Sequence, residues 1–465
     1  MNVSPLPIFH SDFRVFQLGT PELGDTTYVL ESGGEVIAID PQRDLDRLDP
    51  VLHKVGGRVV AVFETHVHND YVSGGPALAR ATGAPYLVPA NAGVTVADGE
   101  RADGAEISVG RVRLRALFTP GHTPHHMSYE IVAGDGVAGV FTGGSVLVGA
   151  CGRTDLLGPE LAEELTRWQY RSAQRIGKLL DSTVLGPTHG SGSFCSSNGV
   201  GGESWTTVER ERRANPAFLA PDEDAFVRHH LSGRLDFPNY YQNMAGINRS
   251  GATAWIPAEP PRLTLQALLE AMRSSVVAVD GRDAVAFASG HLTGSVNVPL
   301  DNSFATYLGW VFPFGTRFAF VGLAPDEAKA AARQCARIGI DGIVGAAYDA
   351  LVEWQHTEPL AAYGVTDAIG LRDAVARGAT VLDVRQRMEW ASGHVPGSLN
   401  VPVTELRERL ADVPAGPVFV HCLSGIRAGT AASLLAAAGY DVVLVRDGFE
   451  AWSAGRFDVA WEEAA

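Results

Sequence analysis

The sequence predicts a multidomain chain of the α/β and α+β classes. Three observations point there. Residues 280–299 and 383–402 are near copies of one another. The first 255 or so residues alternate apolar, strand-like runs with turns that carry histidine or glycine. Finally, 465 residues suit roughly three domains of about 150 residues each.

Apolar residues make up 46% of the chain, enough for each domain to bury a core. The net charge of −16 argues against a nucleic-acid or acidic-membrane binder. The start, MNVSPLPIFHSDF, lacks the basic-then-apolar order of a signal peptide, and no apolar run approaches the roughly 20 residues that span a bilayer. Four cysteines, Cys151, Cys195, Cys335 and Cys422, do not form a disulfide framework. They suit one reactive thiol and three others in a reducing, cytoplasmic setting.

The segment 1–258 is the first expected domain. VVAVFE (59–64) runs into THVHNDYVSGG, VRLRALF (112–118) into TPGHTPHH, GVAGVF (136–141) into TGGSVLVG, and STVLG (182–186) into PTHG. Loops at strand ends are where a rigid sheet gathers a site from distant sequence. His66, His68, Asp70, His122 and His189 all fall there. One such histidine is usually a satisfied polar residue, but five ligand-type side chains point to a metal site. Cys151 is expected to be a buried packing residue. Cys195, in a Gly/Ser-rich loop, is either a buried thiol or a persulfide-holding one. Arg153, Asp155 and FPNYYQNMAGINRSG (237–251) are expected either to shape the mouth of a cleft or simply to pack.

The repeat sets the remaining boundaries. Asp280 matches Asp383, an offset of 103 residues, and Arg, Gly-His, Gly-Ser and Asn-Val-Pro keep that register. Units this long are tandem domains rather than a solenoid. They are placed at 262–355 and 363–460, each a small α/β unit with a parallel sheet, joined around residues 356–366. In the second copy VFVH (418–421) runs into Cys422-Leu-Ser-Gly425-Ile-Arg427. A thiol there meets backbone N–H groups at the positive end of a helix, which favours the thiolate. The first copy has Gly322 opposite Cys422 and Glu327 opposite Arg427, and so lacks nucleophile and cation. Cys335 lies beyond its loop and is expected in the core.

These motifs resemble two families. Cys-x-x-Gly-x-Arg and the D-x-R…GH-x-x-G-x-NVP segments are similar to those of rhodanese sulfurtransferases. THVHNDYVSG, TPGHTPHHMSY and GRTDLLG (152–158) resemble the persulfide dioxygenase branch of the metallo-β-lactamase fold, including fused dioxygenase–rhodanese proteins. The resemblance implies a metallo-β-lactamase αββα sandwich followed by two tandem rhodanese-like domains, the first inactive. It implies Cys422 as the sulfur-carrying nucleophile and Arg427 as the residue that holds the anionic donor or acceptor. Such a thiol must be reachable from solvent and from the guanidinium. His66 and His122 become ligands of Fe(II), while His68, Asp70, His189, Arg153 and Cys195 orient ligands or substrate. Tyr71 replaces a histidine that binds a second metal in hydrolytic relatives.

One departure matters. The family's T-G-D supplies a third ligand, but this chain reads Thr142-Gly143-Gly144. Three readings stay open: metal held with His68, Asp70, water or substrate completing the shell; weakly held metal; or an empty site that binds a thiol compound or a partner. The expected function is oxidation of a small persulfide to sulfite, coupled to persulfide, thiosulfate or sulfite exchange at Cys422. Fusion would raise the effective concentration of one site for the other's product. The alternatives are a sulfurtransferase with a metal-free first domain, and a thioester hydrolase. No nucleic acid or membrane partner is expected, and a homo-oligomer stays open.

Overall fold

The computed structural model describes every residue except 1–2, 9, 191, 197–201, 233–235 and 463–465. Contacts divide the chain into two units, 1–234 with 240–257 and 336–339, and 235–239 with 258–335 and 340–465. Both repeat copies, expected as separate domains, therefore fall in the second unit, apart from residues 336–339 of the first copy.

In the first unit a seven-stranded sheet runs in chain order from Val3–Pro5 to Gly99–Arg101. A six-stranded sheet, ordered from Thr206–Thr207 through Val184–Pro187 and Gly136–Gly143 to Glu106–Val109, faces it. Strand Val112–Phe118 alternates inward Val112, Leu114 and Ala116 with exposed Arg113, the pattern of a half-buried strand. The core between the sheets gathers Tyr28, Ile37 and Phe63 from one and Leu114, Tyr129 and Phe141 from the other. The Phe63 and Tyr129 rings meet edge-on at 5.1 Å. Burying each such side chain is worth roughly 1.5–3 kcal/mol. Helices Asp49–Val55 and Gly75–Thr82 cover the outer face of the first sheet, and Pro159–Ile176 covers the second. This is an αββα sandwich.

The second unit holds two parallel sheets, one of four strands around Val277–Asp280 and one of five around Val418–His421. The 103-residue repeat reappears bond for bond. Arg282 pairs with Asp280 and donates to Gly290 O at 2.9 Å; Arg385 pairs with Asp383 and donates to Gly393 O at 2.7 Å. Asn297 and Asn400 each donate to the carbonyls of their own Asp and Arg. His291 stacks on Phe287 at 4.0 Å, and His394 on Trp390 at 3.7 Å. The recurring Asp, Arg, His and Asn therefore brace the fold. Helix Ile426–Ala437 packs on helix Ala284–Ser289 and strand Val296–Asn297 of the first copy.

Candidate functional site

Two clusters stand out, one in each unit. In the first, strand Arg58–Phe63 delivers His66 and His68, the turn after Val112–Phe118 delivers His122, and the turn after Val184–Pro187 delivers His189. Nitrogens of His66, His122 and His189 all lie within 4.8 Å of one another. Each ring is fixed by its Nδ1. His66 Nδ1 meets Thr65 Oγ1 at 2.9 Å, His122 Nδ1 meets Arg153 O at 2.7 Å, and His189 Nδ1 meets Asp25 Oδ1 at 2.8 Å. Thr65 in turn donates to Asp40. Anchoring Nδ1 turns Nε2 inward, the arrangement that orients histidine ligands. His189, expected to orient ligands or substrate, places a nitrogen within 4.8 Å of those of His66 and His122, and another grouping brings it as close to His68 and Asp70.

The donor atoms fit a cation. His122 Nε2 is buried and has no hydrogen-bond partner among the described residues. His66 and His189 Nε2 stand 3.2 Å apart, close to the roughly 3.3 Å that separates two nitrogens on a tetrahedral centre with ~2.0 Å bonds. Burial, reinforced by the neighbouring histidines, holds His66 well below its usual value and His122 at about 3, so both offer lone pairs. Burial also disfavours the charged form of His189, but Asp70 and Asp25 outweigh it and raise the ring to about 9. A proton or a metal ion can therefore sit between His66 and His189.

Gly144 explains the missing carboxylate. A Cβ there would fall 2.2 Å from His122 Cδ2, so the imidazole fills the space an aspartate needs. Its N–H donates to His126 Nε2 at 2.9 Å. His126, quoted in the motif but given no role, is buried with Nδ1 on Thr119 Oγ1 at 2.9 Å.

His68 lies beside these histidines, with a ligand atom within 4.8 Å of those of Asp70 and His189. Its Nε2 faces Glu64 at 3.0 Å, Asp40 at 3.2 Å and the Tyr71 hydroxyl at 2.9 Å. Burial opposes its protonation, yet Asp40 and Glu64 raise it well above the usual value. Asp70 Oδ2 lies 3.2 Å from His189 Nδ1. Asp40, Glu64 and Asp25 were missed; each lies at or near a strand end, as the histidines do.

The rest of the cleft is packed. Tyr240 and Tyr241 are buried, and Tyr240 donates to Asp70 O at 3.1 Å. Arg153 makes a two-pronged pair with Asp155 at 3.0 and 2.8 Å. Cys195 is wholly buried beside Tyr241, and burial pushes its thiol well up. Of the two expectations for Cys195, its burial agrees with the buried thiol; residues 197–201 of its loop lie outside those described. Cys151 and Cys335 are buried packing residues, as expected.

In the second unit, Cys422 Sγ accepts from Gly425 N–H at 3.1 Å at the start of helix Ile426–Ala437. Gly425 takes φ +97°, and a Cβ there would strike Arg446 O at 2.0 Å. One expectation, solvent access to the thiol, is corrected. Cys422 is 1% exposed, because Phe449 and Glu450 amides tie down the Cys422 and Leu423 carbonyls and the sulfur turns in toward Gly425. Arg427 is not free: it grips Glu389 at 2.5 and 2.8 Å. Leu423 and Ile426, 42% and 39% exposed, form the loop's open rim. Glu389 and Tyr307 were missed, although the repeat places Ala286 opposite Glu389, an apolar-for-acid difference between the copies.

Residues 21–189 match the metallo-beta-lactamase superfamily, and residues 368–455 match the rhodanese-like domain. Mitochondrial persulfide dioxygenase of Homo sapiens is 29% identical over 220 residues, 46% of this chain and 79% of that protein. Hydroxyacylglutathione hydrolase of Pseudomonas entomophila (strain L48) is 31% identical over 151 residues, 32% of this chain and 55% of that protein. The crystal structure of a metallo-beta-lactamase from Staphylococcus aureus subsp. aureus COL, 26% identical, superposes with a TM-score of 0.67 over 73% of this chain and 99% of that one. Among the described residues no helix is long and apolar enough to cross a membrane.

Proposed function

We propose that this chain, a metallo-beta-lactamase domain with persulfide dioxygenase homologues joined to a rhodanese-like domain, takes sulfane sulfur onto Cys422 and oxidises a small persulfide in its first domain. The observation that carries the reading is the Cys422 sulfur held against the Gly425 amide at a helix start, a setting that stabilises a sulfur anion; at 1% exposure the thiol meets a donor only when the exposed Leu423 and Ile426 rim moves aside. In the transfer step the Cys422 thiolate attacks the outer sulfur of a donor persulfide. The donor S–S bond breaks, its thiolate leaves with the electron pair, and Cys422 keeps the sulfur as a persulfide.

His66, His122 and His189 are the proposed metal ligands, with Asp40 through Thr65, Arg153 O and Asp25 aiming their rings. Fe(II) is the proposed metal, since imidazole suits iron; bound there, it supplies the redox chemistry that lets oxygen oxidise persulfide sulfur. The net reaction takes persulfide, oxygen and water to thiol, sulfite and two protons. Sulfite would then accept sulfur from the Cys422 persulfide, giving thiosulfate. The residues themselves orient the rings, and Asp70 and Asp25 favour a proton on His189.

A second reading, a sulfurtransferase with a metal-free first domain, is favoured by one observation: Asp25 and Asp70 already satisfy a protonated His189. Oxygen uptake with glutathione persulfide, with and without added Fe(II), separates the two. Uptake that follows bound iron supports the first reading; no uptake in iron-loaded protein refutes it.

A further inference from the structure

The helix that starts at the Cys422 loop is covered on two sides. In helix Ile426–Ala437 every residue from Ala428 to Leu435 is buried, so it has no polar outer face of the kind a surface helix keeps. One side packs on its own strands Val418–His421 and Val442–Val445; another packs on helix Ala284–Ser289 and strand Val296–Asn297 of the first copy. The copy that lacks both nucleophile and cation thus supplies part of the seat under the nucleophile's helix. It reaches the loop as well: Tyr307, on helix Phe304–Val311, lies near enough to feel the charges of Arg427 and Cys422.

Two residues make that seat specific. Glycine inside a helix is unfavourable, and at Gly429 close approach is the reason for it. A Cβ there would fall 2.5 Å from Ala284 Cβ and 3.0 Å from Asn297 Oδ1. One turn on, Ser433 Oγ accepts from Asn297 N–H at 2.9 Å. Strand Val296–Asn297 is the edge of its four-stranded sheet, so an outward N–H has no strand beside it, and once buried it needs another partner. Asn297 is fixed in turn by its bonds to Asp280 O and Arg282 O. The braces that the first copy shares with the second therefore keep this seat rigid. The seat is not reciprocal: in the register that sets Gly322 opposite Cys422, Lys329 and Arg333 stand opposite Gly429 and Ser433.

From the seat to the sulfur is two hydrogen bonds. Gly429 N–H donates to Gly425 O at 3.0 Å, and Gly425 N–H donates to Cys422 Sγ at 3.1 Å. Arg446 O already fills the space beside Gly425, so a helix pushed off its seat strains the loop instead of sliding past it. We propose that Gly429 and Ser433 are positioning residues for sulfur transfer: by docking the nucleophile's helix on Ala284 and Asn297, they make the inactive copy the support that holds the Gly425 amide against the Cys422 sulfur. The inference rests on sulfur transfer at Cys422.

The test measures kcat and KM for sulfur transfer from glutathione persulfide to cyanide in the full chain, at a temperature where circular dichroism shows each protein folded. Gly429→Ala drives a methyl against Ala284. It should lower kcat about tenfold or more and move KM less than about threefold, because misplacing a reacting group by about 1 Å can cost about 100-fold while the donor's own contacts stay as they were. Ala284→Gly clears the same space from the first copy, so the double variant should recover most of the lost kcat. Ser433→Ala, a milder change, strips Asn297 N–H of its partner; it should lower kcat in the same direction and speed hydrogen exchange of that amide. A folded Gly429→Ala protein with wild-type kcat overturns the proposal, and so does a double variant no faster than the single one. If Gly429→Ala does not fold, wild-type kcat in Ser433→Ala overturns it. Wild-type protein that transfers no sulfur sinks the Cys422 reading and this inference together; transfer that the variants leave unmoved sinks this inference alone.

Discussion

Restoring the aspartate that the family resemblance expects at position 144 should damage the proposed metal centre. His122 is wedged between two glycines. A Cβ on Gly144 would sit 2.2 Å from its Cδ2, and one on Gly152 would sit 2.8 Å from its Nδ1. To bring 2.2 Å to an ordinary 3.4 Å contact, the ring must shift by about 1.2 Å. A shift of that size breaks the 2.7 Å bond from Nδ1 to Arg153 O and carries Nε2 well outside the roughly 0.2 Å tolerance of a metal–ligand distance. Overpacking a buried site typically costs about 1–3 kcal/mol, and loss of the orienting bond costs a further 10–100-fold in metal affinity. Gly144→Asp should therefore hold less iron than wild type after identical Fe(II) loading, and should melt earlier. Elemental analysis after desalting and a thermal melt are the assays. Gly144→Asp protein with equal or higher iron occupancy would refute the argument that His122 occupies the carboxylate's place.

Further expectations follow from the same geometry. Cys422→Ser should abolish sulfur transfer and leave oxygen uptake intact; transfer that persists would move the nucleophile elsewhere. Alanine at His66, His122 or His189 should each deplete bound metal, whereas His126→Ala, which removes no proposed ligand, should retain more of it by elemental analysis. Asp383→Asn leaves buried Arg385 without its anion, and breaking such a pair typically costs about 3–5 kcal/mol, readable as a lowered denaturation midpoint. The Glu389 carboxyl sits below its unfolded value of about 4.3. Its stabilisation is therefore complete above that pH and lost as pH falls through the lower folded value. Glu389→Gln should show a flatter acid limb in stability against pH; an unchanged limb would mean the pair contributes nothing there.

Much of the architecture was legible because the chain repeats itself. The 103-residue register fixed which Asp, Arg, His and Asn recur, and those residues turned out to be the internal braces of both copies. The strand-end histidines were legible for a similar reason, since a sheet edge is where distant segments converge. What could not be read was the direction each ring faces. His68 and His189 look equivalent as strand-end histidines, yet Glu64 and Asp40 draw His68 aside while Asp25 turns His189 inward. Those acids set which way each ring faces, and only three-dimensional proximity identifies them. Burial was equally invisible: nothing in CLSGIR says that the thiol turns in toward Gly425, or that Arg427 is taken by an acid 38 residues upstream.

Peptide mass spectrometry of the full chain after brief exposure to glutathione persulfide bears most directly on the sulfur-carrier assignment. The peptide holding Cys422 should gain one sulfur atom and lose it to cyanide or sulfite. If that peptide stays unmodified, or if the added sulfur resides on Cys195, the assignment is contradicted.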